Sequence, residues 1–578
     1  MAQKICDKMK KWFSDGLDWK MVIFLSVVLF AIFLRVWHFH DWLFFKMDQA
    51  RDAFHALHIL EGGIGWIPLL GPKAGGTNLN LGPAYYYFQY VAVGIFQSAN
   101  PSVMAYPDLF FSILSIPLFY LVLKRYFSRD WSMIISSAYA LCFLAIEYSR
   151  FSWNPNPLPF FNLLFIFALL KVFDGNCRFP LRWTAVAAVA FSVSTQLHFL
   201  SFLTLPLITL IFLVVQGKES LKFLDWKKIA IFIAIVLVFY APFFASDYLT
   251  HGKNTKEFFK AIHSKASDHS LMENISKDAF YFGENWAIIL TGYIQSGKDN
   301  HASILTWLIF ILPALVLNFY LYRREKDEKR KRFLLVTFLW FVIYFLSYIP
   351  IAYSTRPRFF LPMLFLPFIF AGYVSRYFLE FLPKEKNLGK IAAFLVFAII
   401  IAGNLYGTEL WFREIKEAQK KGVYPDRTII LKARDGVVLW HLEKVADYIA
   451  GNCPANEVYF NSISEYNRPM KYLLTLRGKQ AFAFSDIKAG DPNLCTFSVK
   501  RSRAKSNKLG DEIDREYSVS KETKFGAWEV LDLKLNDDFA GKPLPSYHRG
   551  RQNSSESEDS KRTYWKDVFA PWSKNDED

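Results

Sequence analysis

Lys46-Met47-Asp48-Gln49-Ala50-Arg51-Asp52-Ala53-Phe54-His55 sets two carboxylates, a guanidinium and an imidazole just beyond a long apolar block. On a helix, Asp48 and Asp52 are four apart and share a face, with Arg51 beside Asp48. A carboxylate at a membrane surface can serve as a general base, because a partly dry setting raises its pKa toward neutrality. The same spacing also suits the solvated first turn of a juxtamembrane helix, with no chemistry at all. Asp52 reads either as a second acid or as only the salt-bridge partner of Arg51. His38, His40, His55 and His58 lie in the same region, but their spacing fits no metal-ligand pattern. No cofactor is expected, and a divalent metal is not predicted.

Further polar residues recur where other apolar blocks end. They are Asn154 and Asn156 in a Pro-rich turn, Gln196 with His198, and Arg356 with Arg358. Each has a plain reading as well: turn chemistry for the asparagines, helix capping for His198. Tyr85, Tyr86 and Tyr87 read first as membrane-interface anchors and second as sugar-stacking rings.

The elements that must position these residues are membrane helices. Hydrophobic residues make up 53% and aromatics 18%, yet mean hydropathy is only +0.15, because the chain divides into two halves of different character. Apolar blocks of spanning length fall at 21–39, 106–123, 131–148, 157–170, 184–199, 201–216, 229–246, 304–322, 333–353, 359–377 and 389–408. The block 84–98 is ambiguous. If it lies flat, the alternate connections share one side and carry 26 Lys and Arg, against Arg150, Arg356 and Arg358 in the short opposite loops. The positive-inside bias therefore makes 84–98 an interfacial helix and predicts eleven spans, N-terminus inside and C-terminus outside. The net charge of +16 is spread through these short clusters, which suit topology signals and anionic lipid rather than nucleic acid.

The expected fold is thus an α-helical polytopic membrane protein with amphipathic helices in its first outer loop and a small C-terminal α/β soluble domain. Residues 1–20 form a cytoplasmic N-terminus, 21–408 the membrane domain, 409–540 the extracytoplasmic domain and 541–578 a flexible tail, acidic and Ser-rich at Ser554–Ser560. The first apolar block reads as a retained signal anchor. Helical stretches are expected at Glu409–Lys421 and Val437–Ala450, and strands at Glu457–Phe460 and Ala527–Leu533. On the oxidising side, Cys453 and Cys495 either pair or remain two free thiols.

Asp48-Gln49-Ala50-Arg51-Asp52-Ala53, Leu70-Gly71-Pro72-Lys73 and Leu81-Gly82-Pro83-Ala84-Tyr85-Tyr86-Tyr87 together resemble the first outer loop of C-type membrane glycosyltransferases, in the protein O-mannosyltransferase and aminoarabinose-transferase group. Ser149–Asn156, Gln196–His198 and Arg358–Pro362 fit the same branch, in the family's order, and the resemblance covers roughly residues 20–405. It implies a polyprenyl-phosphate sugar as donor, Asp48 as catalytic base, and Arg51, Asp52, Tyr85, Tyr86, Asn154, Gln196 and His198 around the substrate. Several relatives carry a basic residue just before the Pro that opens the tyrosine block; here Leu81-Gly82 stands there, so Arg356, Arg358 and Lys73 would hold the phosphate. The sequence has no P-loop and no dinucleotide-binding glycine motif, in keeping with a lipid-linked donor. The acceptor would be a lipid, an envelope glycan or a protein outside the plasma (inner) membrane.

Two rivals come from other classes. A lipid or glycan translocator would need a polar path across the bilayer, and the helix interiors are almost free of charge. A non-catalytic scaffold or sensor would leave Asp48 and the arginines without a shared cleft. A site common to Asp48, Arg358 and His198 is the arrangement that catalysis requires.

Overall fold

The computed structural model describes residues 18–264, 267–292, 301–381, 387–421, 437–487, 490–501, 513–526, 528–542, 544 and 562–569. Among these, seven helices are long and apolar enough to cross a membrane: Trp19–Val36, Pro101–Leu123, Phe199–Gln216, Trp226–Leu249, His301–Arg324, Glu328–Ser354 and Leu388–Lys420. A helix pair bent by 58°, Pro357–Met363 with Leu366–Arg376, is either an eighth, broken span or a re-entrant loop. The protein is a multi-pass membrane protein, and by length and apolarity its described spans stop short of the expected eleven.

The shortfall has local causes. Block 131–148 is broken into Arg129–Ala140 and Phe143–Glu147. Asn404 stabilises the break: its Oδ1 accepts from Phe143 N at 2.8 Å, while its Nδ2 donates to Leu290 O at 3.0 Å. Such amide bonds between helices replace the hydrophobic driving force that lipid cannot supply. Close backbone approach at the same contact needs Gly403, where a Cβ would stand 2.4 Å from Thr291 O. Block 157–170 forms the 15-residue helix Leu158–Val172. Block 184–199 lies in Pro180–Leu197, a helix rich in Ser, Thr and Ala with a low mean apolarity. Block 84–98 forms the 13-residue helix Ala84–Phe96, which is outside the set of spanning helices.

The last span runs unbroken from Leu388 to Lys421, so the stretch Glu409–Lys421 continues a membrane helix beyond the bundle. The C-terminal α/β unit follows. Its five-stranded sheet has the order β2-β1-β3-β5-β4, with β1 Glu457–Ser462, β2 Gln480–Ala483, β3 Cys495–Arg501, β4 Tyr517–Phe525 and β5 Trp528–Leu535. β1 is parallel to β2 and β3, while β5 runs antiparallel to β3 and β4. Helices Leu439–Asn452 and Ser464–Thr475 cover it. Cys453 and Cys495 are joined as a disulfide, closing the approach to β1 onto the start of β3. Of the remaining cysteines, Cys6 lies outside the described residues, and Cys142 and Cys177 are free thiols.

This unit is clasped to the bundle. Leu439 N donates to Leu43 O at 2.8 Å and Trp440 N to Asp41 O at 3.0 Å. Beside them His40 Nε2 lies 2.9 Å from Glu443 Oε2, and His40 Nδ1 lies 3.2 Å from Ser102 Oγ. The Glu443 hydrogen bond raises the His40 pKa above the ordinary histidine value, burial opposing it and the charges of Glu443 and Asp41 adding to it. A raised folded-state pKa contributes stability that is complete below the unfolded value of about 6.5 and is lost as pH rises through the folded value. Docking of the unit is therefore firmer in mild acid than in mild alkali, by less than about 1 kcal/mol because both groups are partly exposed. Hydrogen exchange at the Leu439 and Trp440 amides across that pH range should show the difference in the native protein and lose it in His40→Gln.

Candidate active site

Asp48 sits in the first turn of helix Met47–Gly62, where the helix dipole favours a carboxylate. Gln49 Oε1 accepts from Lys46 N at 3.1 Å and fixes that turn. Lys46 itself pairs with Glu465 at 3.0 Å, so the C-terminal unit braces the helix start. The helical spacing read from the sequence holds: Arg51 donates to Asp48 Oδ1 at 3.2 Å and through Nε to Asp52 Oδ1 at 2.8 Å. The two acids differ in setting, the Asp48 side chain being 53% exposed and that of Asp52 1%. Burial raises the Asp52 pKa, opposed by the Arg51 charge and by hydrogen bonds from Arg51 and Tyr86. Arg51 is held charged, because the attraction of Asp52 and Asp48 outweighs its own burial. One guanidinium thus spans a buried acid that anchors it and an open acid that it orients.

The two Leu-Gly-Pro stretches form a hairpin. Gly71 N donates to Leu81 O at 2.8 Å, Leu81 N to Pro72 O at 2.9 Å, and Lys73 bridges Asn80. The strands approach so closely that a Cβ on Gly71 would stand 2.1 Å from Gly82 O, which gives the glycine its reason. Asn254 secures the hairpin from the helix Lys253–Ser264, accepting from Asn80 N at 2.8 Å and donating to Asn80 O at 3.0 Å. Its tip reaches Arg358, whose Nη2 lies 3.3 Å from the Cβ position of Gly75.

Arg358 is carried by the bent helix pair. Its guanidinium lies 5.0 Å from the Trp153 ring centre and 5.4 Å from that of Phe359. The Phe359 ring is in turn 5.4 Å from the His198 ring. The charges of Asp48 and Arg356 both act on Arg358. Phe359 thus lies between Arg358 and His198, and Asp48 is linked to Arg358 through its charge. Arg356 is exposed, and its Nη1 donates to Thr355 O at 3.0 Å. Lys73 is in the hairpin next to this group.

Other candidates do structural work. Gln196 accepts from Ala84 N at 3.2 Å and donates to Phe239 O at 2.9 Å, tying down the start of the Ala84–Phe96 helix. Asn154 Nδ2 donates to Leu197 O at 2.6 Å, and His198 Nδ1 accepts from Leu200 N at 3.3 Å as a helix cap. Tyr85 and Tyr86 are fully buried, not at an interface. Tyr85 OH bonds Asp108 Oδ2 at 3.1 Å and Ser152 Oγ at 2.6 Å, and Tyr86 OH donates to Asp52 Oδ1 at 3.0 Å. Asp108 and Ser152 escaped the sequence reading because each sits in an apolar or turn context that hides a buried bond. The four histidines part company: His38 faces Asp41, His40 bonds Glu443, His55 packs 5.5 Å from Tyr86 and His58 lies 6.3 Å from the Trp66 ring. No cluster of three or more His, Cys, Asp or Glu suited to a metal occurs among the described residues. An open cleft of about 420 Å³ lined by His38, His40, Asp41 and Ser102 lies at the join with the C-terminal unit and does not include Asp48.

No protein-family profile and no curated protein sequence matches the chain. Solved structures do. ArnT from Cupriavidus metallidurans bound to undecaprenyl phosphate is similar with a TM-score of 0.57 at 13% identity, over 91% of this chain and 100% of that one. The same protein in the apo state gives 0.55 at 13% identity, over 90% and 98%. The archaeal oligosaccharyltransferase AglB from Archaeoglobus fulgidus, in complex with an inhibitory peptide and a dolichol-phosphate, gives 0.50 at 10% identity, over 85% and 70%. The chain shares the fold of ArnT.

Proposed function

We propose that the protein transfers a sugar from a polyprenyl-phosphate donor to a hydroxyl on an extracytoplasmic lipid, envelope glycan or protein. The observation that carries this reading is the open Asp48 carboxylate, oriented by Arg51 in the first turn of its helix and linked through its charge to Arg358. Similarity to a fold solved with undecaprenyl phosphate supports the donor class. On this reading Asp48 takes the proton of the acceptor hydroxyl as its oxygen bonds the anomeric carbon. The bond from that carbon to the phosphate oxygen breaks, and its electron pair leaves with the lipid phosphate. A single displacement inverts the anomeric centre. The leaving group is already a stable anion, so it needs cations rather than a strong acid; Arg358, Arg356 and Lys73 fill that role. Arg51 and Asp52 set the base, while Gln196, Asn154 and His198 shape the wall. The positive-inside bias orients the chain with its N-terminus in the cytoplasm and the site on the outer face of the plasma (inner) membrane.

The test is release of free polyprenyl phosphate by the purified protein in lipid nanodiscs. Hexosyl and pentosyl donors would be compared, with membrane extracts supplying acceptors. Release with at least one donor is expected. No release with any donor, together with movement of the intact lipid across vesicles, would establish a translocator instead.

A further inference from the structure

Residues 562–569 lie in the segment expected to be flexible, yet they are packed against the candidate site. The run Ser554–Ser560 before them is outside the described residues. Thr563 O accepts from Leu69 N at 3.0 Å, Trp565 N donates to Ile67 O at 3.0 Å, and Tyr564 bridges Pro68 antiparallel. Proline has no N–H to give, so the bonds fall on its two neighbours. Side chains lock this clip in place. Trp565 Nε1 donates to Tyr87 OH at 3.0 Å, Thr563 Oγ1 meets Ser246 Oγ at 2.7 Å, and Lys566 Nζ lies 3.0 Å from the Trp66 ring centre.

The clip brings one cation to the active-site helix. Arg562 Nη1 donates to Tyr86 OH at 3.4 Å, with the guanidinium 5.6 Å from the Tyr86 ring centre. Tyr86 OH donates to Asp52, Asp52 accepts from Arg51, and Arg51 donates to Asp48. A continuous hydrogen-bonded chain therefore joins the C-terminal segment to the open carboxylate, most of it buried. In such a setting each bond polarises the next. A cation drawing on the Tyr86 oxygen makes its proton a better donor to Asp52. Asp52, better satisfied, leaves more of Arg51 for Asp48.

We propose that Arg562 is a positioning residue for Asp48, delivered in cis by the docked C-terminal clip. The proposal rests on the reading of Asp48 as the base, but its central prediction does not require turnover. Asp48 is exposed enough for a water-soluble carbodiimide to label it, and the rate of labelling at a fixed pH reports how firmly Arg51 holds it. Without Arg562 that hold weakens, so labelling at a fixed pH quickens.

The experiment compares the full-length protein, Arg562→Ala, Arg562→Lys and a chain ending at Lys561, with peptide mapping of the label on Asp48. Hydrogen exchange at the Leu69 amide shows whether the clip is seated. Arg562→Ala is expected to keep that amide protected, speed Asp48 labelling about threefold or more, and lower kcat about tenfold. Arg562→Lys should restore part of both, since it keeps the charge but loses the planar donor. The truncated chain should lose the Leu69 protection and show the full labelling effect. Unchanged labelling in Arg562→Ala with the clip seated would overturn the proposal. Higher turnover in the truncated chain would also overturn it and make the clip an inhibitory plug. If the native protein moves no sugar, the proposed function fails while the labelling result still decides the role of Arg562.

Discussion

Asp48→Asn is expected to lower kcat by about a thousandfold or more, the scale of losing a positioned general base. The substitution removes a proton acceptor without changing shape. Arg51 retains its 2.8 Å bond to Asp52, and the amide oxygen of Asn can still accept from Arg51 Nη1. With Asp48 more than half exposed, little stability depends on it. The thermal midpoint and donor binding should therefore match those of the native protein while release of polyprenyl phosphate disappears. Asp52→Asn should behave differently, because Asp52 is buried and holds both Arg51 and Tyr86. It should lower the thermal midpoint as well as the rate. Full turnover in Asp48→Asn would remove that residue from the mechanism.

Arg150→Met is expected to cost about 3 to 5 kcal/mol of stability, the range for breaking a buried charged network. Arg150 is 1% exposed, and its guanidinium closes the C-terminal end of the first span. Nη1 donates to Leu34 O at 3.0 Å and Arg35 O at 2.8 Å; Nη2 donates to Trp37 O at 2.6 Å and His38 O at 3.3 Å. Helix ends leave such carbonyls without partners, and inside a membrane protein no water replaces them. Phe39 and Phe412 flank the charge at 6.0 and 5.2 Å, tying the last span to the first. Met fills the volume and donates nothing. A fall of several degrees in thermal midpoint is the expected readout, and Arg150→Lys should recover little because one ammonium cannot reach four carbonyls. An unchanged midpoint in Arg150→Met would show that the network is dispensable.

Arg150 also marks how far the sequence could be read. Its position at the end of an apolar block was legible, but its role depends on carbonyls more than a hundred residues away. The apolar blocks themselves were legible because a bilayer demands length and apolarity, both local properties. The break at Leu141–Cys142 was not, since Asn404 stabilises it from another helix. Asp48, Arg51 and Asp52 were legible as one cluster because helical spacing fixes their relation. Tyr85 and Tyr86 look like interface aromatics in one dimension, and only Asp108 and Asp52 beneath them account for their burial. The cysteine pair stood open between disulfide and free thiols until the parallel pairing of β1 with β3 brought them together. The tail was the hardest case. Its composition is that of a linker up to Lys561, and the aromatic and basic residues that follow find their partners near residue 67 and residue 86.

That last contact has a consequence for biosynthesis. Membrane helices enter the bilayer in chain order as they are made, and domains generally fold from the N-terminus onward during synthesis. Here the partner of the Leu69 amide is Thr563, which is made only after every described span and the sheet. The loop bearing Asp48 must wait, through the insertion of every later span and the folding of the sheet, for its final neighbours to arrive. A ribosome-bound intermediate can hold a complete bundle and still lack Arg562, so the finished arrangement marks a chain translated past Trp565.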